Sequence, residues 1–161
     1  MDKAEQFQAQ SGQSMPMDWV AILAAVALSH ALAGPTGERW AAVLDGFDQV
    51  RSRAFEEGRA DALEAVYPEG SELLAQDKEL LASYVRRGVD IERMRMELLE
   101  SEVASATPRH VTLRVTDQLA QARVRLSDGT ARDLPRDQPT RRTIELSLTS
   151  RGWRISRVQQ Q

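Results

Sequence analysis

The stretch "LLASYVRRGVDIERMRM" (residues 80–96) decides the fold, because the hydrophobic period changes within it. Before Gly88, apolar residues recur every three or four positions, which is typical of a helix packed on one side. After Gly88, Ile91, Met94 and Met96 follow the two-residue rhythm of a strand that is long, bent and interrupted by a bulge. The chain therefore changes from helices to strands at this point.

Three helices are predicted on the N-terminal side of Gly88. The first lies in "TGERWAAVLDGFDQVRSRAFEEG" (36–58) and ends at Gly58. A short second helix, "RADALEAVYPEG" (59–70), is ended by Pro68 and Gly70, and a third (71–88) is capped by Ser71. The expected core faces are Trp40, Val43, Leu44, Phe47, Val50 and Phe55 in the first helix, and Leu73, Leu74, Leu80, Leu81, Tyr84 and Val85 in the third.

Antiparallel strands are predicted on the C-terminal side. "RHVTLRVTD" (109–117) alternates, with Val111, Leu113 and Val115 facing inward, and a second strand, "AQARVRL" (120–126), leads to the turn "SDGT". A proline-broken loop (133–140) precedes a terminal hairpin (142–158). The prediction is an α+β fold in which three helices cover one face of a curved, mostly antiparallel sheet whose other face is polar.

The N-terminal residues 1–35 are predicted to be a leader that precedes a folded domain of residues 36–161. Their hydrophobic segment, "WVAILAAVALSHALA" (19–33), has 15 residues, too few to span a bilayer. It fits a signal peptide cleaved after Ala31-Leu32-Ala33, although the region before it is poor in cations. It equally fits an extra hydrophobic helix ended by Gly34 and Pro35, and the residues alone favour neither.

The composition excludes several kinds of site. The chain has no cysteine, which excludes disulfides, thiolate metal sites and cysteine nucleophiles. Residues 35–107 carry 9 Lys+Arg and 16 Asp+Glu, whereas residues 108–161 carry 11 Arg and 5 acidic residues. Such asymmetry can indicate a nucleic-acid surface, but the arginines are spread along strands without interleaved aromatics. We therefore expect no nucleic-acid partner.

Motifs along most of the chain resemble those of the nuclear transport factor 2-like superfamily, which includes ketosteroid isomerases and polyketide cyclases. The matching residues, within roughly residues 38–158, are Ala54, Phe55, Gly58, Leu63, Tyr67, Gly70, Ser71, Asp77, Leu80, Leu81, 113–117 and 152–155. More narrowly, the chain is similar to uncharacterised actinobacterial exported domains. The resemblance implies a cone with a pocket between the long helix and the curved sheet. It also favours export, because such domains often follow a signal peptide or membrane anchor.

Asp117 and Tyr67 are the weak catalytic candidates. Asp117 shares the inward parity of Val111, Leu113 and Val115, so it could act as a general base in a dry pocket. The structural alternative, which we favour, is that it ends its strand and caps the following turn. Tyr67 could polarise a ligand carbonyl, or it could be a core ring whose hydroxyl reaches a backbone carbonyl. The candidate pocket residues are Trp40, Phe47, Phe55, Tyr67, Met94, Met96, Asp117 and Trp153, with Trp40 and Trp153 expected at the two ends of the core.

No other constellation points to chemistry. His30 and His110 have no partner at metal-ligand spacing, so no metal or other cofactor is expected. The arginines at 123, 125, 141, 142, 154 and 157 are expected on a solvated sheet face, partly paired with Glu145. We expect a non-enzymatic domain of the cell envelope that binds a small apolar ligand or a protein, because no convergent pair of titratable groups can be named on the inward face. The alternative function is an isomerase or cyclase acting on an apolar carbonyl compound.

Secretion or membrane association through residues 19–33 is the expected location, and the alternative is the cytoplasm. The outer sheet face is charged, so a monomer or a weak dimer is expected.

Overall fold

The computed structural model describes residues 35–161, which form two α-helices, one 3₁₀ helix and a single sheet. The elements are α1 (Pro35–Glu56), the 3₁₀ helix (Ala60–Ala65), α2 (Glu72–Arg86), β1 (Asp90–Ala106), β2 (His110–Arg125), β3 (Ala131–Leu134), β4 (Thr140–Thr149) and β5 (Gly152–Gln160). This is the predicted α+β order, with helices packed on a curved antiparallel sheet. The hydrophobic segment 19–33, and with it the predicted leader and extra helix, lies outside the described residues. Within residues 35–161, no helix is both long enough and apolar enough to cross a membrane.

The helices differ from the prediction in two details. The second predicted helix is a 3₁₀ turn, whose Leu63 is fully buried. In α2 the predicted cap is confirmed, since Ser71 Oγ accepts a hydrogen bond from the backbone N–H of Leu74. The predicted core face of α2 is wrong for Leu80 and Val85, which are 39% and 64% exposed. Its buried residues are Leu74 and Leu81, as predicted, together with Asp77, so α2 presents a carboxylate to the interior.

The sheet is antiparallel, with strand order β1-β2-β4-β5. The long strand β2 is its centre: residues 110–117 pair with β4, and residues 122–125 pair with the short β3. The expectation that a strand ends at Asp117 is therefore wrong, because β1 supplies a partner for β2 along its whole length. The predicted inward face is confirmed, since Val111, Leu113 and Val115 are all buried.

Strand β1 forms one edge of the sheet and is long and irregular. Over its 17 residues the pairing with β2 shifts register four times, which confirms the predicted bulge and bend. Its free edge meets the C-terminal end of α1, where Glu56 Oε1 accepts a hydrogen bond from the backbone N–H of Met94 at 2.7 Å. This contact joins the long helix to the sheet.

The hydrophobic core lies between the helices and the inner face of the sheet. Leu63, Leu113 and Leu146 are fully buried in it. The rings of Trp40 and Trp153 meet edge to face, with centroids 4.8 Å apart. The expectation that these two rings lie at opposite ends of the core is therefore wrong, because the start of α1 packs against the start of β5.

Candidate functional site

A cavity of about 390 Å³ lies between α1, the segment after the 3₁₀ helix, α2 and the inner face of the sheet. Most of its wall is apolar and comes from every layer of the fold. Its apolar lining includes Leu44, Phe55, Ile91, Met94, Met96, Leu98 and Ile144, and its ionisable lining consists of Asp48, Arg51, Tyr67, Tyr84, Asp117, Asp137 and Arg142. This space, called the central cavity below, is the candidate ligand site.

Asp117 is the most buried carboxylate on the cavity wall. It is 6% exposed, and its Oδ2 lies 3.4 Å from Nη1 of Arg142 on the neighbouring strand β4. Its Oδ1 is buried and has no hydrogen-bond partner within the described part of the chain. Burial raises the pKa of Asp117, Arg142 opposes the rise, and the nearby Asp137 adds to it. A buried acceptor without a partner is costly, so a hydrogen-bond donor that reached Oδ1 would relieve that cost.

Asp48 faces the same cavity from α1. It is half-buried, and burial is the largest cause that raises its pKa to about 6. Asp117 and Asp45 raise that pKa further, whereas Arg51 and Arg142 lower it. A carboxyl group with this pKa can take up and release a proton close to physiological pH. We call three carboxylates of the cavity wall the carboxylate cluster. They are Asp48, Asp117 and Asp137, the last of which is exposed in the loop before β4.

A second polar group consists of Arg51, Tyr67 and Asp77, whose side chains hydrogen-bond to one another. Arg51 of α1 holds Asp77 of α2 in a two-pronged contact, with Nε–Oδ2 at 2.6 Å and Nη2–Oδ1 at 2.9 Å. The Tyr67 hydroxyl donates to the same Asp77 Oδ2 at 2.8 Å, so the expected contact with a backbone carbonyl is wrong. Burial raises the pKa of Tyr67, which keeps the hydroxyl protonated as the donor of this bond. The group ties α1, α2 and the segment between them into one wall.

The predicted pocket residues separate into two sets. Phe55, Tyr67, Met94, Met96 and Asp117 line the central cavity. The remaining three lie elsewhere: Trp40 and Trp153 pack against each other, and Phe47 packs on the core without lining the cavity.

Arg142 does not belong to the solvated arginine face on which it was expected. It has the same strand parity as Ile144 and Leu146, so it points inward to Asp117. Three other members of that set are in surface ion pairs as expected: Arg123 with Glu92 and Asp133, Arg125 with Glu92, and Arg157 with Glu145. The inner face therefore carries a cation next to a carboxylate, and the expectation that it holds no convergent titratable groups is wrong.

Sequence reasoning missed Asp48 and Arg51, although a signal for them exists. They continue the helical spacing Leu44–Asp48–Arg51–Phe55, which runs along the face of α1 that lines the cavity. A charged residue in register with a buried face is the pattern that identifies them. Among residues 35–161, no three His, Cys, Asp or Glu side chains are arranged so that they could hold a metal ion.

Comparisons with known proteins bear on the fold. No family model matches the sequence, and no curated protein matches it. Among solved structures, the intermembrane space region of the chloroplast protein ARC6 is similar over 77% of this chain and 95% of its own, with 13% identity and a TM-score of 0.53. This likeness shows the fold alone.

Proteins described as NTF2-like or ketosteroid isomerase-like are also among the structural neighbours. An NTF2-like protein with a cystatin-like fold from Novosphingobium aromaticivorans covers 92% of this chain and 90% of its own, with 14% identity and a TM-score of 0.42. A ketosteroid isomerase-like protein from Erwinia carotovora atroseptica covers 73% of this chain and 91% of its own, with 16% identity and a TM-score of 0.45.

Proposed function

We propose that this domain binds a small ligand with an apolar body in the central cavity and catalyses no reaction on it. The observation that carries the proposal is the composition of the cavity wall: apolar side chains from all layers of the fold, with charged groups at only a few positions. Ligand sites of soluble proteins have this make-up, because apolar walls provide affinity and a few polar groups fix the orientation.

The cavity wall is held in place before a ligand arrives. The bond network of Arg51, Tyr67 and Asp77 joins both helices, and the backbone N–H of Ile155 donates to the carbonyl of Val66, which ties β5 to the segment between the helices. A wall fixed in this way loses little conformational freedom on binding, which favours affinity.

The test of ligand binding places a larger side chain in the cavity wall, on strand β1. Leu98 lines it, whereas the next residue on β1, Leu99, is 43% exposed. We expect Leu98→Phe to weaken binding of the neutral probe 4-phenylbutan-1-ol at least tenfold in isothermal titration calorimetry, and Leu99→Phe to leave it unchanged. Equal affinity of both variants and the parent would contradict the proposal, as would failure of the parent to bind this alcohol and also the amine and the carboxylate with the same body. Thermal melting of each variant checks that it is folded.

We also propose that the domain acts in the cell envelope. The support is the sequence of residues 19–33 and the residues Ala31-Leu32-Ala33 that precede Gly34. The test is the mass of the mature protein after expression and fractionation of the host cells. A chain that begins at Gly34 in the envelope or secreted fraction supports this location, and a full-length chain in the cytosol contradicts it.

A second function, proton transfer next to a carbonyl, is favoured by one observation: Asp48 and Asp117 face the same apolar cavity, and each has a raised pKa. A carboxylate in such a place can remove a proton from the carbon beside a ketone. The test is exchange of the α-protons of 4-phenylbutan-2-one for deuterium in D₂O, followed by NMR. If the protein exchanges these protons faster than buffer alone does, and Asp48→Asn or Asp117→Asn abolishes the excess, then this function would be established in place of simple binding.

A further inference from the structure

We infer that the ligand of the central cavity is an organic cation, an apolar body that carries a protonated amine at the carboxylate cluster. This inference rests on the proposed binding function and adds the chemical class of the ligand.

The charge of the cavity wall is the first argument. Arg51 bonds both oxygens of Asp77, which carries the opposite charge, so this pair adds no net charge to the wall. Among the described residues that line the cavity, the other charged groups are the three carboxylates of the cluster and one cation, Arg142, which lies 3.4 Å from Asp117. An anionic head would meet a net negative wall, whereas a cationic head would complete the pairing.

The unpartnered oxygen of Asp117 is the second argument. Oδ1 is buried and bonds to nothing in the described residues, while Oδ2 faces Arg142. A protonated amine carries three N–H donors, so once a turn of the carboxylate brings Oδ1 to the cavity, the amine can bond this oxygen and have donors left for Asp48. A bond between two charged groups is shorter and stronger than one from a neutral hydroxyl. A carboxylate head has no proton to donate to Oδ1.

The third argument concerns Asp48, whose pKa of about 6 means that its carboxyl in the unliganded cavity is protonated below that pH. The charged groups that act on this carboxyl come from three elements: Asp45 and Arg51 on α1, Asp117 on β2 and Arg142 on β4. An amine would take the place of this proton, because a cation beside Asp48 favours its ionised form. Binding near pH 6 should therefore release a proton from the Asp48 carboxyl to the buffer.

The experiment compares three probes with the same body: 4-phenylbutylamine, 4-phenylbutan-1-ol and 4-phenylbutanoate. Calorimetric titration at pH 7.5 should give an affinity for the amine about tenfold higher than for the alcohol, with the carboxylate weakest. Titrations at pH 6 in two buffers of different ionisation enthalpy should show proton release with the amine and none with the alcohol. Asp117→Asn should remove the preference for the amine, and Glu38→Gln, which changes an exposed carboxylate in the first turn of α1, should keep it.

The outcomes separate this inference from the proposed function. Equal affinities of the three probes, or tightest binding of the alcohol or the carboxylate, would overturn the cationic head while leaving the binding cavity in place. Loss of the amine preference in the Glu38→Gln control would also overturn it, since the preference would then come from general surface charge. Failure of all three probes to bind would overturn both proposals.

Discussion

Replacing Asp48 by Asn should stabilise the protein at neutral pH and leave its stability at pH 4 unchanged. The pKa of Asp48 rises from 3.8 in the unfolded chain to about 6 in the fold. Between these values the unfolded chain has released the proton while the folded protein keeps it, so stability falls as pH rises through this window and then levels off. A difference of about two pKa units corresponds to about 3 kcal/mol, which is the upper limit of the gain from Asp48→Asn at pH 7.5.

The assay is urea denaturation of the parent and of Asp48→Asn at intervals from pH 4 to pH 8. The two free energies of unfolding should agree at pH 4 and separate by up to about 3 kcal/mol above pH 6. Asp45→Asn is the matched control: Asp45 lies one turn earlier on α1 and is exposed, so its change should be small at every pH. Parallel pH profiles of the parent and Asp48→Asn, or a less stable Asp48→Asn at pH 7.5, would refute the assignment of the raised pKa to this carboxyl.

Two further changes test the packing of the cavity wall and of one turn. Tyr67→Phe removes the hydroxyl that donates to Asp77 and should lower the free energy of unfolding by about 1 kcal/mol; an unchanged urea midpoint would show that the bond contributes nothing. Gly88→Ala should destabilise more than Gly58→Ala: both glycines have positive φ, but only at Gly88 would the new Cβ come within 2.9 Å of Ser127 Cβ. Equal urea midpoints for the two alanine variants would show that the contact with Ser127 relaxes without cost.

The fold is largely predictable from periodicity, because apolar and polar residues alternate along most of the central strands β2 and β4. The inward parity of Asp117 follows from Val111, Leu113 and Val115, and the structure confirms those three as buried. The end of the strand at Asp117 is predicted wrongly, because a polar pair, Asp117 and Gln118, looks like a turn in the sequence. In the protein both residues are buried in the middle of β2, since β1 pairs along the whole strand.

The candidate site is less predictable, because charged residues are assigned to solvent by default. Arg142 shares parity with Ile144, and Asp77 lies three and four residues from Leu74 and Leu81, so the signal for both is present in the sequence. Its meaning depends on a partner from another element: Asp117 for Arg142, and Arg51 for Asp77. Such pairings between distant segments cannot be read from spacing within one segment.

The irregular outer edge of β1 has a consequence for how the protein behaves at high concentration. A straight edge strand of this length would offer a second molecule a row of evenly spaced N–H and C=O groups to which it could add a strand. The four register shifts break that spacing, and the carboxylate of Glu56 already occupies the N–H of Met94. Strand β1, four of whose residues line the central cavity, is therefore paired too irregularly for its outer edge to serve as a template for extended β-structure.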